Sequence, residues 1–324
     1  MEILVTGGTG FLGRHVAMAL LARGHRVRVM GRNMAAIPEV LAAGAAPVRA
    51  DLRDRAAVAA ACAGAHAVIH AGALSEPWGP RAEFVAVNVG GTAAVIAGCQ
   101  AHGVRRLVYV SSPSVTFGGS DVFDQREDAP YPRRFASIYS HTKKLGEDLV
   151  RASQGLETVI LRPKAIFGPG DQALLPRLIA AARAGRLPQV GDGHNHVDVT
   201  YVENVAHAAA LALDAPAAVG GTYTITNGEH VPLWGLIRRV LRACGLPDRL
   251  RRLPLPVVLA AAAAMEARAR LLGGEPLLTR YTATILGRTQ TYTIAAAQRD
   301  LGYAPLVSVD EGVARTLAAL PAAR

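Results

Sequence analysis

The sequence predicts a doubly wound α/β fold, with a parallel sheet covered by helices on both faces and a smaller lobe toward the carboxyl terminus. Three observations predict it. Through residue 165, short runs rich in β-branched residues alternate with longer Ala/Leu-rich runs, the pattern of buried parallel strands and their crossover helices. The first of these runs feeds directly into a glycine-spaced turn, Thr6-Gly7-Gly8-Thr9-Gly10-Phe11-Leu12-Gly13. The chain of 324 residues, 51% hydrophobic and 19% charged, can also bury a large core.

The elements follow in order. Strands are expected near residues 3–6, 26–30, 67–70, 106–111 and 158–161, with one more leading into Asp51-Leu52. Gly24 and Gly103 each follow a helical run, where a helix end needs a residue tolerant of positive φ. From Phe167-Gly168-Pro169-Gly170-Asp171 onward the texture changes to longer helices and Gly/Pro-rich loops, with a strand candidate at 222–226. Residues 1–165 therefore read as a Rossmann dinucleotide-binding core, and 166–324 as a substrate-binding lobe with segments returning to the core.

Composition excludes several classes. The formal charge of +10 invites a polyanion partner, yet Lys143, Lys144 and Lys164 are the only lysines, and scattered arginines in an alanine-rich chain do not form a nucleic-acid footprint. Cys62, Cys99 and Cys244 are odd in number and lack metal-ligand spacing, which predicts reduced thiols, no metal site and a cytoplasmic protein. Met1 to Val5 enter a strand with no basic or apolar leader, so secretion is not expected. The most lipid-like stretch, residues 257–265, is too short to span a bilayer, and no transmembrane segment is expected. His194 and His196 flank Asn195 without an acid or cysteine at ligand spacing and read as a solvated loop.

The glycine turn carries the first chemistry. Gly7, Gly10 and Gly13 let the backbone turn tightly, approach a pyrophosphate and pack on the sheet, and the amides of Phe11 and Leu12 open the helix toward an anion. After the second strand an NAD site usually places an acid for the ribose hydroxyl, but here stands Gly31-Arg32-Asn33. Arg32, with Asn33 beside it, can pair with a 2′-phosphate, which favours NADP(H) over NAD(H). Asp51 and Leu52 are placed to meet the adenine edge, and Ala71 and Gly72 end a strand where small residues let a cofactor lie close.

Tyr139 and Lys143 carry the second. At i and i+4 on a helix they share one face, so an ammonium can stabilise a developing phenolate while reaching a cofactor ribose. His141, two residues from each, falls on another face. Upstream, Tyr109-Val110-Ser111-Ser112-Pro113-Ser114-Val115 ends a strand with hydroxyls at the carboxyl edge of the sheet, where ligands collect.

With the glycine loop, this serine segment and the Tyr139/Lys143 pair in order, the chain resembles the extended short-chain dehydrogenase/reductases over essentially its whole length. The Tyr109 to Val115 segment is similar to the 3β-hydroxysteroid dehydrogenase-type branch, as are Leu161-Arg162-Pro163, Leu175-Pro176-Arg177 and Gly191-Asp192-Gly193. Val197-Asp198-Val199-Thr200-Tyr201-Val202-Glu203-Asn204 and Gly274-Glu275-Pro276-Leu277-Leu278-Thr279-Arg280 resemble the bacterial members that reduce 2-alkyl-3-oxoalkanoates in olefin and β-lactone biosynthesis. The resemblance implies Tyr139 as general acid, Lys143 as its electrostatic partner and ribose ligand, and Ser112 as the hydroxyl that polarises the carbonyl, with Ser111 and Ser114 as fallbacks. It implies Pro163 beside the nicotinamide, a structural Arg162, and Asn88 as a structural or cofactor-proximal residue, a local cap serving equally well. A homodimer is frequent in this superfamily.

The implied substrate is a ketone, either a β-keto acid such as a 2-alkyl-3-oxoalkanoate or a 3-ketosteroid-like body, since the helices after residue 232 are rich in Ala, Leu and Val. Ser75, Trp78 and Ser114 are candidate substrate contacts, and Lys164 or a lobe arginine could meet a substrate carboxylate. Nucleotide-sugar epimerases or dehydratases using NAD are the rival, along with a non-catalytic NAD(P)-binding regulator. Where those sugar enzymes carry Arg-Asp-Phe/Tyr, this chain has Val197-Asp198-Val199, although Arg177, Arg183 and Arg186 offer replacement charge.

Overall fold

The computed structural model describes residues 1–320. In chain order, the first half comprises β1 (Glu2–Thr6), α1 (Phe11–Ala22), β2 (Arg26–Gly31), α2 (Pro38–Ala42), β3 (Ala46–Arg49), α3 (Arg55–Cys62), β4 (Ala67–His70), α4 (Arg81–Phe84), α5 (Gly91–Ala101), β5 (Arg106–Val110), β6 (Val122–Gln125), α6 (Ile138–Ala152) and β7 (Glu157–Pro163). The second half continues with β8 (Ile166–Phe167), α7 (Leu175–Arg183), β9 (Gln189–Val190), β10 (His196–Val197), β11 (Thr200–Tyr201), α8 (Val202–Asp214), β12 (Thr222–Ile225), β13 (Val231–Pro232), α9 (Leu233–Ala243), β14 (Arg252–Leu253), α10 (Leu255–Leu272), α11 (Arg280–Gly287), β15 (Gln290–Tyr292), α12 (Ala295–Leu301) and α13 (Val309–Ala318).

Seven parallel strands form the central sheet in the order β12-β7-β5-β4-β1-β2-β3. Strand order reverses between β1 and β4, the kind of switch point where ligands collect at the carboxyl ends of the strands in an open α/β sheet. Burial explains why these runs are strands: Ile3, Leu4 and Val5 are fully buried, so successive residues serve the cores on opposite faces. Helices α1, α8 and α12 cover one face, and α3, α5 and α6 the other.

The helix ends agree with their local chemistry. Asp54 caps α3 through Ala57 N at 3.0 Å, and Ser137 caps α6 through Ser140 N at 3.0 Å. Gly24 and Gly103 adopt φ +76° and +62° directly beyond α1 and α5, as expected for helix stops. The strand anticipated at 222–226 is β12, and it belongs to the central sheet as the edge neighbour of β7. The chain thus returns to the core after residue 201, because β11 leads straight into α8, which packs on α1.

Outside the central sheet, four short strands form a second sheet, β13-β10-β15-β6, whose members are more than 160 residues apart at the extremes. Around it α7, α9, α10 and α11 enclose a further apolar core built on Trp234, Ile237, Leu241 and Val258. The lipid-like stretch at 257–265 is part of α10. A different helical run, Arg81–Ala101, is long and apolar enough to cross a membrane by length and composition, and half of it is buried inside the fold.

Candidate active site

The glycine cradle is backbone packed on backbone. Gly7 has φ +68°, and a Cβ on it would lie 2.5 Å from Gly72 Cα, so β1 and the end of β4 touch with no room for a side chain. A Cβ on Gly13 would lie 2.1 Å from Gly7 O, whereas one on Gly10 would meet only Gly7 O at 3.1 Å and is otherwise open. No side chain caps α1, which begins at Phe11 and Leu12 with its amides directed out of the sheet edge. His15 Nε2 lies 3.0 Å from Pro169 O, holding the Gly168 to Gly170 turn over the start of α1. The residues present therefore fit a dinucleotide pyrophosphate.

Arg32 is 76% exposed and lies 4.0 Å from Asp51 Oδ2. Asp51 itself is clamped by Arg53, with Nε at 3.0 Å and Nη2 at 2.7 Å, and those hydrogen bonds pull its carboxyl down to about 2. Arg32 and Arg49 line one surface cavity of about 380 Å³ with Asp51 and Asp54. Asn33 is exposed beside Arg32, and Leu52 reaches inward, packed close to Gly72 and Gly91. Ala71 N donates to Thr6 O at 3.2 Å, which continues the β1–β4 pairing by one residue.

Ser112, just after β5, lies close to the Tyr139 phenol at the start of α6, and Lys143 follows one turn further along that helix. Burial pushes the Tyr139 phenol up from its ordinary value; the nearby Tyr281 phenol adds to this, and the Ser112 hydroxyl opposes it. Lys143 is buried with its ammonium 4.0 Å from the centre of the Tyr109 ring. That burial lowers its pKa to about 7, with the charge of Glu147 acting the other way. Tyr109 fits beneath Lys143 because Gly146 is bare: a Cβ there would stand 2.1 Å from the phenol oxygen.

The fallback serines separate in space. Ser111 Oγ donates to Glu147 Oε1 at 2.6 Å and is turned into the core. Glu147 also accepts from Arg162 Nε at 2.8 Å and Nη2 at 2.7 Å, and from Tyr131 Oη at 2.8 Å. Burial alone would raise this carboxyl, but the Arg162 hydrogen bonds and charge bring it below its usual range. A fully paired buried cluster thus ties α6 to β5 and β7 and fixes the helix that presents Tyr139. Arg162 is structural as expected; Glu147, four residues after Lys143, was not anticipated, although its i+4 spacing was a readable signal.

Beneath the sheet edge, His70 bridges Thr6 Oγ1 at 2.6 Å and Thr92 Oγ1 at 3.1 Å, and burial drives its pKa down to about 3, leaving a neutral ring under Lys143. Asn88 sits in a widened helical turn, Val85–Gly90. It is not a cap: its side chain accepts from Leu74 N at 2.7 Å and donates to Leu74 O at 3.0 Å and Thr142 Oγ1 at 3.0 Å, pinning the loop after β4 to α6.

That loop carries Ser75 and Trp78. Ser75 is exposed, while Trp78 is half-buried under the Arg270 guanidinium at 5.4 Å. Pro163 is buried at the end of β7, paired with Ile225. Ser114 is buried against the Tyr281 phenol. Val197 and Val199 are buried in the lobe, and Arg177 is engaged by Glu76 and Glu275 and is not a free cation. His141 stacks on Phe135, off the Tyr139/Lys143 face.

A model of the 3-beta hydroxysteroid dehydrogenase/isomerase family matches residues 4–256. The chain is 42% identical to a 2-alkyl-3-oxoalkanoate reductase of Stenotrophomonas maltophilia, covering 97% of this chain and 98% of that protein. It is 37% identical to a protein of the same name from Shewanella oneidensis, over 98% of this chain and 85% of the relative. Among solved structures, a short-chain dehydrogenase/reductase superfamily protein from Agrobacterium tumefaciens with bound NAD is 26% identical, covers 98% of this chain and 97% of its own, and superposes with a TM-score of 0.75.

Proposed function

The chain belongs to the 3-beta hydroxysteroid dehydrogenase/isomerase family, an oxidoreductase family of the short-chain dehydrogenase/reductase superfamily, and on that premise we propose that it is an NADP(H)-dependent ketoreductase acting on a β-keto acid of the 2-alkyl-3-oxoalkanoate kind, a 3-ketosteroid-like body being the second substrate class. The observation that supports the reading is the Ser112 hydroxyl beside the Tyr139 phenol, with the buried Lys143 one helical turn on from Tyr139.

In this mechanism Ser112 donates a hydrogen bond to the ketone oxygen and orients it toward Tyr139. Tyr139 passes its phenolic proton to that oxygen as negative charge develops there, and the Lys143 ammonium stabilises the phenolate left behind. A coenzyme bound in this cradle would supply hydride for the carbonyl carbon. Gly7, Gly10 and Gly13 with the Phe11 and Leu12 amides would hold its pyrophosphate, Asp51, Leu52, Ala71 and Gly72 would line the adenosine side, and Lys143 and Pro163 would border the nicotinamide end. NADP(H) is favoured because Arg32 and Arg49 line one cavity and Asp51, the nearest acid, is already neutralised by Arg53. The lobe from residue 166 closes the acyl side of the cleft, with Ser75, Trp78 and Ser114 toward the substrate. The cysteines are all unbridged, which suits a cytoplasmic setting.

The test is NADPH oxidation followed by absorbance against 2-alkyl-3-ketoacids, 3-ketosteroids and UDP-sugars. Consumption with the keto acids is the expected result. Epimerisation of a sugar nucleotide without net coenzyme loss would overturn the reading.

A further inference from the structure

Lys164, the residue after Pro163, is an ammonium without an ion-pair partner among the described residues. It follows Pro163 at the end of β7, and its backbone is fixed by Lys164 N donating to Ile225 O at 3.1 Å and by Thr200 Oγ1 donating to Lys164 O at 2.5 Å. Its Nζ donates to Gln290 Oε1 at 2.6 Å. Gln290 is buried and cannot turn away, because its Nε2 donates to Ile285 O at 3.2 Å. Among the described residues no carboxylate forms an ion pair with Lys164.

The nearest acid in the interior, Asp198, is already committed. Its Oδ1 is bonded to His230 Nδ1 at 2.6 Å and its Oδ2 accepts from Tyr292 N at 2.8 Å, while His230 Nε2 reaches Asp124 at 2.8 Å. Asp198 therefore acts on Lys164 only at longer range, and burial lowers the lysine to about 8. A half-buried cation with one amide oxygen as its partner keeps donor capacity for an anion that arrives beside it.

Two phenols extend from this cation toward Tyr139. The Lys164 Nζ lies 5.6 Å from the centre of the Tyr292 ring, and Tyr292 Oη is buried with no hydrogen-bond partner. The Tyr292 phenol neighbours that of Tyr281, which in turn neighbours Tyr139 and stands against Ser114. Tyr281 thus stands beside Tyr139 and Tyr292 beside Lys164, and the Tyr292 hydroxyl makes no hydrogen bond within the protein.

We propose that Lys164, Tyr281 and Tyr292 form a carboxylate subsite, which holds an acid group borne on the carbon next to the ketone while Tyr139 and Ser112 engage the ketone oxygen. This rests on the ketoreductase reading and narrows it: the preferred substrate is a free β-keto acid, and esters or simple ketones of the same chain are poor substrates. The subsite also fixes which face of the ketone is presented, because two oxygen-bearing groups are held at once.

The experiment compares a 2-alkyl-3-keto acid with its methyl ester, each with NADPH. Wild-type protein should favour the acid in kcat/KM, and Lys164→Met should lower the acid-to-ester ratio by about tenfold or more, mainly through KM for the acid, as expected for loss of a charge-assisted contact. Lys164→Arg should keep most of the preference, and Tyr281→Phe should lower the ratio less than Lys164→Met. A purely structural role would depress both substrates together and leave the ratio unchanged, which would overturn the subsite. Should Lys164→Met fail to fold, wild-type protein still decides: the 2-alkyl-3-hydroxy acid should inhibit more tightly than its methyl ester, and equal inhibition would overturn the proposal. Wild-type protein that reduces neither compound would defeat the ketoreductase reading itself.

Discussion

The two ends of the cleft are built on opposite plans. At the β1–β4 end, recognition is made of backbone: Gly7 packs on Gly72 and Gly13 on Gly7 so closely that a Cβ added to Gly7 or Gly13 has no place to go. At the β5–β7 end, side chains do everything. Ser112, Tyr139 and Lys143 stand over a paired cluster of Glu147, Arg162, Ser111 and Tyr131, and Tyr281 and Tyr292 approach from the lobe. The backbone end can serve one ligand shape and changes little without breaking. The side-chain end can be re-tuned residue by residue, so specificity belongs there.

That contrast can be broken or sharpened by single atoms. Removing one oxygen at the side-chain end, in Tyr139→Phe, should lower ketone turnover by roughly 10²-fold or more with coenzyme affinity largely kept, the scale of a lost positioned acid. Near-normal reduction by that variant would remove Tyr139 from its role. Adding one carbon at the backbone end, in Gly13→Ala, should weaken NADPH binding by at least about tenfold in a fluorescence titration, since the new Cβ strikes Gly7 O and only main-chain movement relieves it. Unchanged affinity would show that the cradle is looser than its packing.

The pH profile probes the side-chain end alone. Lys143 must be charged to stabilise phenolate, and its pKa is lowered to about 7 by burial, so its charge is present below that value and lost above it. Tyr139, raised by the same cause, stays protonated throughout. The kcat/KM for reduction should therefore fall by roughly tenfold between about pH 6 and about pH 8 through this group. A rise with pH would contradict the assignment. The smallest effect is expected at the rim of the backbone end. Arg32 is 76% exposed, so Arg32→Asp should shift the NADPH-to-NADH preference by only about fivefold, the scale of about 1 kcal/mol for a solvent-screened contact. No shift at all would leave coenzyme choice to Arg49 or to another group.

The backbone end was the more legible of the two. Glycines that must be bare announce themselves in sequence, because one residue type alone meets the need, and a strand, a turn and a helix start lie within a dozen residues of one another. Tyr139 and Lys143 were legible for a similar local reason, their i,i+4 spacing. Glu147 lies on the same spacing and went unread, since a helical carboxylate is usually a solvated one; its burial depends on Arg162 arriving from β7. Which of three serines faces Tyr139 was open in the sequence and depends on the end of β5, where Ser111 is drawn inward by Glu147.

The sequence by itself determined the alternating sheet and helix order, the glycine cradle and the Tyr139/Lys143 pair, because each rests on interactions spanning a few residues. Only the tertiary structure decided that β12 rejoins the central sheet, that Arg162 and Glu147 are a buried pair, that Lys164 lies against Tyr292, and that Tyr281 stands beside Tyr139. Those partners are separated by up to 128 positions between Lys164 and Tyr292, and their meeting is set by packing of the lobe against the sheet edge, which local periodicity does not encode.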